Sequence, residues 1–164
     1  MQYIKMILVL LGTQNNSFHR LLEKIQENID NGNINDSVIV QKGYTKFESK
    51  DMKLYNQLPL DEISKLIEKA DLVVTHGGVG SIISAIEKNK KVIAVPRLKK
   101  YKEHVNDHQL DIIKSFSDSG YIIGLNSIEE LENALEKVKH FKPKKYVKNT
   151  GNILSIVENF INNN

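Results

Sequence analysis

Residues Val73–Arg97 read VVTHGGVGSIISAIEKNKKVIAVPR, and their order decides the fold. Leu72–Thr75 is a short continuous apolar run, which predicts a strand buried on both faces. Val79–Lys88 has the length and apolar spacing of a helix. Lys91–Val95 is a second apolar run, stopped by Pro96. Strand, helix, strand in so short a span implies parallel pairing through a crossover helix. Between the first strand and its helix stand Gly77, Gly78 and Gly80.

The same alternation extends in both directions. Ile4–Leu11 (IKMILVLL) is a further two-faced strand, broken by Gly12-Thr13-Gln14. Ser17 is the expected cap of a helix whose inner face carries Leu21, Leu22, Ile25 and Ile29, ended by Asn31-Gly32-Asn33. Val38–Val40 and Lys53–Tyr55 predict two more strands. Pro59 opens a helix with Ile63, Leu66 and Ile67 inward. Downstream, a long helix is expected from Glu103 to Phe116 and a strand over Tyr121–Leu125. Ser127-Ile128-Glu129-Glu130 resembles a capping box for a helix reaching Val138. A last helix is expected over 152–161, before a frayed tail at 162–164. The pattern is α/β: one Rossmann-like domain over 1–164, a parallel sheet with helices on both faces.

Bulk composition fits that picture. With 164 residues, 40% hydrophobic and 26% charged, the chain suits one ordinary globular core. The net charge of +3 is too small to imply nucleic acid by itself. The chain has no cysteine, which excludes disulfides and thiol chemistry and fits a cytoplasmic setting. Ile4–Leu11 is too short to span a bilayer and lacks a cleavage site, so neither an anchor nor a signal peptide is expected.

In open α/β sheets, ligands bind beyond the carboxyl ends of the strands. Two loops fall there, Gly12–Ser17 and Thr75–Ser81. The second opens a helix, whose free N–H groups and dipole favour anions such as phosphate. Three glycines exceed what a plain turn needs, and glycine permits close backbone approach or positive φ. A dinucleotide G-x-G-x-x-G from Gly78 would require glycine where Ile83 stands, and the Walker pattern is absent. A third cluster, Tyr101–Gln109 (YKEHVNDHQ), follows Pro96-Arg97 at the same edge. Glu103, His104, Asp107, His108 and Gln109 are rich in donors and acceptors, as a polyol requires. His104 and His108 would share a helical face, but their spacing matches no established metal motif.

Taken together, GTQNNSFHRL, HGGVGSIISAI and VPRLKKYKEHVNDHQ, with QKGYTKF from Gln41, resemble the donor-binding half of two-subunit GT-B glycosyltransferases. These include bacterial capsule and exopolysaccharide transferase subunits and the small catalytic subunit of the dolichol-linked N-acetylglucosaminyltransferase. The likeness extends to the C-terminal domain of the lipid I N-acetylglucosaminyltransferase, of glycosyltransferase family 28. It covers nearly the whole chain. It implies an inverting transfer from a UDP-sugar to a polyprenyl-diphosphate-linked saccharide, with a membrane-anchored partner chain supplying the acceptor half. The protein would then sit peripherally at the inner face of the membrane.

By position, the resemblance assigns Gly12 and Thr13, with Gly77, Gly78, Gly80 and Ser81, to the diphosphate; His76 stands beside them as a further donor-binding candidate. It assigns Leu60 to the uracil, and Asp107, His108 and Gln109 to the donor sugar; Glu103 and His104 stand on the same polar edge as further donor-binding candidates. Ser84 stands where many relatives carry an acidic ribose ligand, a departure that weakens that contact. Charge developing on the leaving diphosphate would be stabilised by N–H groups and the helix dipole, so neither a metal nor another cofactor is expected. His19 and His104 lie near the cleft in sequence, but the general base is expected on the partner. The competing readings are a non-catalytic nucleotide-binding or scaffolding module and an epimerase fragment. The latter has only half of the cleft it would need.

Overall fold

The computed structural model describes residues 3–147 and Glu158; the final helix and tail expected over 152–164 lie outside that set except for Glu158, which is helical. Six strands form one all-parallel sheet: β1 (Met6–Leu10), β2 (Ser37–Gln41), β3 (Met52–Tyr55), β4 (Leu72–His76), β5 (Lys91–Val95) and β6 (Ile123–Gly124). The helices are α1 (His19–Asp30), α2 (Leu60–Lys69), α3 (Val79–Glu87), α4 (His108–Asp118) and α5 (Leu131–Val138).

Why the central strands read as unbroken apolar runs is plain from the packing. In β1, Ile7 and Val9 join one core with Leu21, Leu22 and Ile25 of α1 and Leu131, Leu135 and Val138 of α5. Leu8 and Leu10 point the other way, into a second core with Ile67, Ile82, Ile86, Ile112 and Phe116 of α2, α3 and α4. Adjacent residues on a strand face opposite sides, so a strand covered twice needs apolar residues at every position.

The strand order is β3-β2-β1-β4-β5-β6. The chain builds outward from β1 through β2 to β3, then returns to place β4 on the other side of β1. The direction of growth reverses between β1 and β4, and a crevice opens at their carboxyl ends.

Local signals misplaced three features. Ser17 does not cap α1; the N-cap is Phe18, whose N–H donates to Thr45 Oγ1 at 2.9 Å, from across the fold. The helix expected from Glu103 begins only at His108, preceded by a 3-10 turn at Lys99–Tyr101 and by Lys102 in the left-handed region at φ 58°. Here polar side chains compete with helical hydrogen bonding. Glu103 accepts from Leu98 N–H at 2.9 Å and Asp107 from Lys99 N–H at 2.8 Å, folding the segment back on itself. Finally, the strand expected over Tyr121–Leu125 pairs only through Ile123 and Gly124. Tyr121 and Ile122 turn into the core beside α3 and α4 instead.

Candidate functional site

The loops after β1 and β4 meet at the switch point and wall a cleft of about 400 Å³. Gly12, Thr13 and Gln14 form one lip, and Gly78, Gly80, Ser81 and Ser84 of the α3 amino end form the opposite one. Leu60, Ile63 and Ile67 of α2 supply an apolar wall, with Leu10, Gln41 and His76 beneath. The α3 N-cap is Gly78, which has no side chain to cap with. The first N–H groups of the helix therefore stay available at the cleft with the positive end of the dipole.

The glycines divide by physical cause. Gly12 sits at φ +80°, and an ideal Cβ there would stand 2.6 Å from His76 Nε2. A Cβ on Gly78 would also enter the His76 ring, and one on Gly77 would stand 2.6 Å from Gln109 Cβ. Gly12 and Gly78 thus clasp an imidazole, and Gly77 packs on a carboxamide. Among the four loop glycines, only Gly12 takes positive φ. Gly80 is different: no atom lies within 4 Å of a Cβ built on it. The fold does not require glycine there. Gly80→Ala is therefore expected to hold or raise stability by up to about 1 kcal/mol, as Gly-to-Ala exchanges in helices do. Paired thermal melts of the variant and wild type check this.

His76 ends β4 and is 6% exposed. Burial, with help from the nearby Arg97 charge, drives its pKa down to about 3. The ring is neutral in the folded protein. Below an ordinary pKa of about 6.5 the unfolded chain takes up a proton that the folded chain refuses. Stability must then fall with pH through the window from 6.5 down to about 3. The slope from one such group is at most about 1.4 kcal/mol per pH unit. Urea midpoints between neutral pH and about pH 5 should show this loss, and His76→Asn should flatten it. His104 is displaced in the same direction by its own burial and by Arg97.

Of the residues expected at the site, Gly12, Thr13, Leu60, His76, Gly78, Gly80, Ser81 and Ser84 line the cleft. Ser84 Oγ donates to Gly80 O at 2.8 Å, so its proton is used within its own helix. The Glu103–Gln109 cluster lies behind the lip or at its rim. Glu103 is buried and binds Arg20 Nε at 2.8 Å. Asp107 holds Lys99 N–H, and His108 N–H donates to Asn106 Oδ1 at 3.0 Å. Gln109 is buried against Gly77, whose N–H it accepts at 2.9 Å. His104 touches the lip through Gln14 at 2.9 Å. His19 pairs with Glu23 at 3.0 Å on the surface of α1. With the helix starting at His108, His104 and His108 share no helical face. No group of three or more His, Cys, Asp or Glu side chains suited to a metal ion occurs among the described residues.

The sequence reading missed Gln41. It is 4% exposed, lines the cleft, and its Oε1 has no hydrogen-bond partner. A buried acceptor left unpaired costs about 1–3 kcal/mol, so such groups ordinarily await a partner. The hints in the sequence are a polar residue ending the apolar run Val38–Val40 and its place at the head of QKGYTKF.

Residues 6–163 match the family described as the glycosyltransferase family 28 C-terminal domain. The chain belongs to that family. Among relatives of this family 28 domain, the UDP-N-acetylglucosamine transferase subunit ALG13 of Candida albicans is 34% identical over 91 residues, 56% of this chain and 29% of that protein. The UDP-N-acetylglucosamine--N-acetylmuramyl-(pentapeptide) pyrophosphoryl-undecaprenol N-acetylglucosamine transferase of Prochlorococcus marinus (strain MIT 9312) is 32% identical over 132 residues, 77% of this chain and 35% of that protein. The chain thus spans about a third of the length of the curated relatives it matches. In fold, the solution structure of ALG13 superimposes with a TM-score of 0.61 at 18% identity, over 94% of each chain. The glycotransferase of kitacinnamycin gives 0.59 at 16% identity, over 94% of this chain and 37% of that one. The family 28 domain therefore takes the α/β half-fold of larger glycosyltransferases. No helix among its described residues is long and apolar enough to cross a membrane.

Proposed function

We propose that this family 28 domain is the donor-binding half of a heteromeric inverting glycosyltransferase, taking a sugar from a UDP-sugar. The observation that carries the reading is the cleft itself. An uncapped helix amino end faces the Gly12–Gln14 loop, an apolar wall flanks them, and the buried acceptor of Gln41 stands unpaired beneath. The α3 N–H groups suit a diphosphate. The wall of Leu60, Ile63 and Ile67 suits a flat base, and uracil carries one ring N–H for an unpaired acceptor such as Gln41. Charge gathering on the leaving diphosphate meets oriented N–H groups, so the domain needs no metal for that task.

The acceptor is a polyprenyl-diphosphate-linked saccharide held by a membrane-anchored partner chain, and the setting is capsule or exopolysaccharide synthesis at the inner membrane face. The names of two relatives support this direction: ALG13 is called a subunit, and the Prochlorococcus enzyme is named for a pyrophosphoryl-undecaprenol acceptor. The general base belongs to that partner. A non-catalytic nucleotide-binding or scaffolding module is the second reading, favoured by Ser84, whose hydroxyl donates to Gly80 O.

The test is an NMR titration with UDP against GDP and CMP, run with and without a membrane-associated acceptor-half chain. Selective shifts at Gly12, Gly78, Ser81 and Gln41 are expected with UDP. Donor turnover on adding the partner chain separates the enzyme from the module. No UDP response in either state would sink the donor-binding reading.

A further inference from the structure

We propose that Gln109 is a positioning residue: it locks His76 as a neutral imidazole that carries its proton on Nε2 and presents that N–H to the cleft. The argument runs from donors that cannot change roles. Gln109 Oε1 lies 2.9 Å from the backbone N of Gly77 and 3.0 Å from that of Arg97. Backbone N–H groups only donate, so this end of the carboxamide must be its oxygen. The other end is then the NH2, and it lies 3.1 Å from His76 Nδ1. An amide NH2 has no acceptor to offer, so Nδ1 must accept. A neutral imidazole that accepts at Nδ1 carries its hydrogen at Nε2.

Nε2 is the edge of the ring clasped by the two cleft glycines. It is the atom nearest to a Cβ placed on Gly12, at 2.6 Å, and it lies 2.7 Å from one placed on Gly78. The lock therefore delivers one uncharged donor beside the free N–H groups of α3. A second ring proton is opposed twice. It would set Nδ1–H against the Gln109 NH2, and it would add charge to a buried site already facing Arg97 and His104. Gln109 itself is buried and tied to two loops, so its part is to orient the ring from behind rather than to reach into the cleft. Where the ligand is a nucleoside diphosphate, an inference that rests on the proposed function, the Nε2–H meets a phosphate oxygen without depending on pH near neutrality.

The experiment is a long-range 1H–15N correlation spectrum of the His76 ring in the full chain. Near neutral pH, wild type should show a protonated Nε2 and a bare Nδ1. A ring protonated at Nδ1, or at both nitrogens, would overturn the lock. Gln109→Glu keeps an oxygen for Gly77 and Arg97 but removes the donor facing the ring. It should move a proton onto Nδ1, whereas a merely structural Gln109 would leave the tautomer unchanged and overturn the proposal. If that variant does not fold, the wild-type spectrum still decides. None of these readings needs a nucleotide. Adding UDP afterwards should shift the Nε2–H resonance. The expected tautomer with no response to UDP would support the lock and count against the proposed donor.

Discussion

Arg97→Met is expected to destabilise the protein by about 3–5 kcal/mol, the usual cost of removing one partner from a buried charged network. Arg97 is 1% exposed. Its guanidinium donates to Asn16 O at 2.7 Å, to Glu103 O at 3.1 Å and to Leu11 O, and it lies over the Phe18 ring at 5.2 Å. These carbonyls belong to the segment after β1 and to the loop after β5, so one side chain ties together two of the chain segments behind the cleft. Burial lowers its pKa to about 10, with Glu103 opposing, and it stays charged at neutral pH. Removing the fork strands three carbonyls, two of them in buried contacts, and leaves a void beside Phe18. For a chain of this size, about 2–4 °C of Tm goes with each kcal/mol, so the drop should be near 10 °C. Arg97→Lys should recover little, because an ammonium cannot reach divergent acceptors as a planar fork does. Urea unfolding of both variants checks this; a cost below about 1 kcal/mol for Arg97→Met would refute the account.

Gly12→Ala should be nearly as damaging, for different reasons. A non-glycine residue at φ +80° carries about 1–2 kcal/mol of backbone strain. Its Cβ would also stand 2.6 Å from His76 Nε2, and overpacking of this kind costs about 1–3 kcal/mol more. The His76 ring is hemmed in by Gly78 and anchored by Gln109, so it cannot simply retreat. We expect a total loss of about 2–5 kcal/mol in thermal or urea unfolding and the disappearance of the UDP response. The contrast with Gly80→Ala is the sharper test. Both residues line the cleft, yet only the first is demanded by the fold.

That contrast marks where sequence reading stopped. The three glycines of HGGVG were legible as a strand-to-helix turn at a binding edge, and the turn is where they were expected. Their reasons were not legible, because two of them answer to side chains rather than to a ligand: Gly78 to His76 and Gly77 to Gln109. Ser17 looked like a cap and Thr45 took its place, from 27 residues beyond Phe18. The polar cluster at Glu103–Gln109 looked like a ligand-facing helix. Its carboxylates instead hold Arg20 and nearby backbone N–H groups, which unwinds the segment and turns Glu103 and Gln109 inward.

The sequence by itself determined the α/β class, the strand runs of β1, β4 and β5 and the inward faces of α1 and α2. It also pointed to the loops after β1 and β4, where the structure has a cleft. Those features follow from periodicity within a window of about ten residues, where hydrophobic burial acts on local pattern. Tertiary structure alone decided the unpaired acceptor of Gln41, the Arg97 tie between loops and the contact of Gln109 with His76. Each depends on polar atoms meeting across long separations, 32 residues for Gly77 with Gln109 and 86 for Arg97 with Leu11. Away from water, a polar group must find a partner wherever the chain brings one, and only the folded arrangement says which.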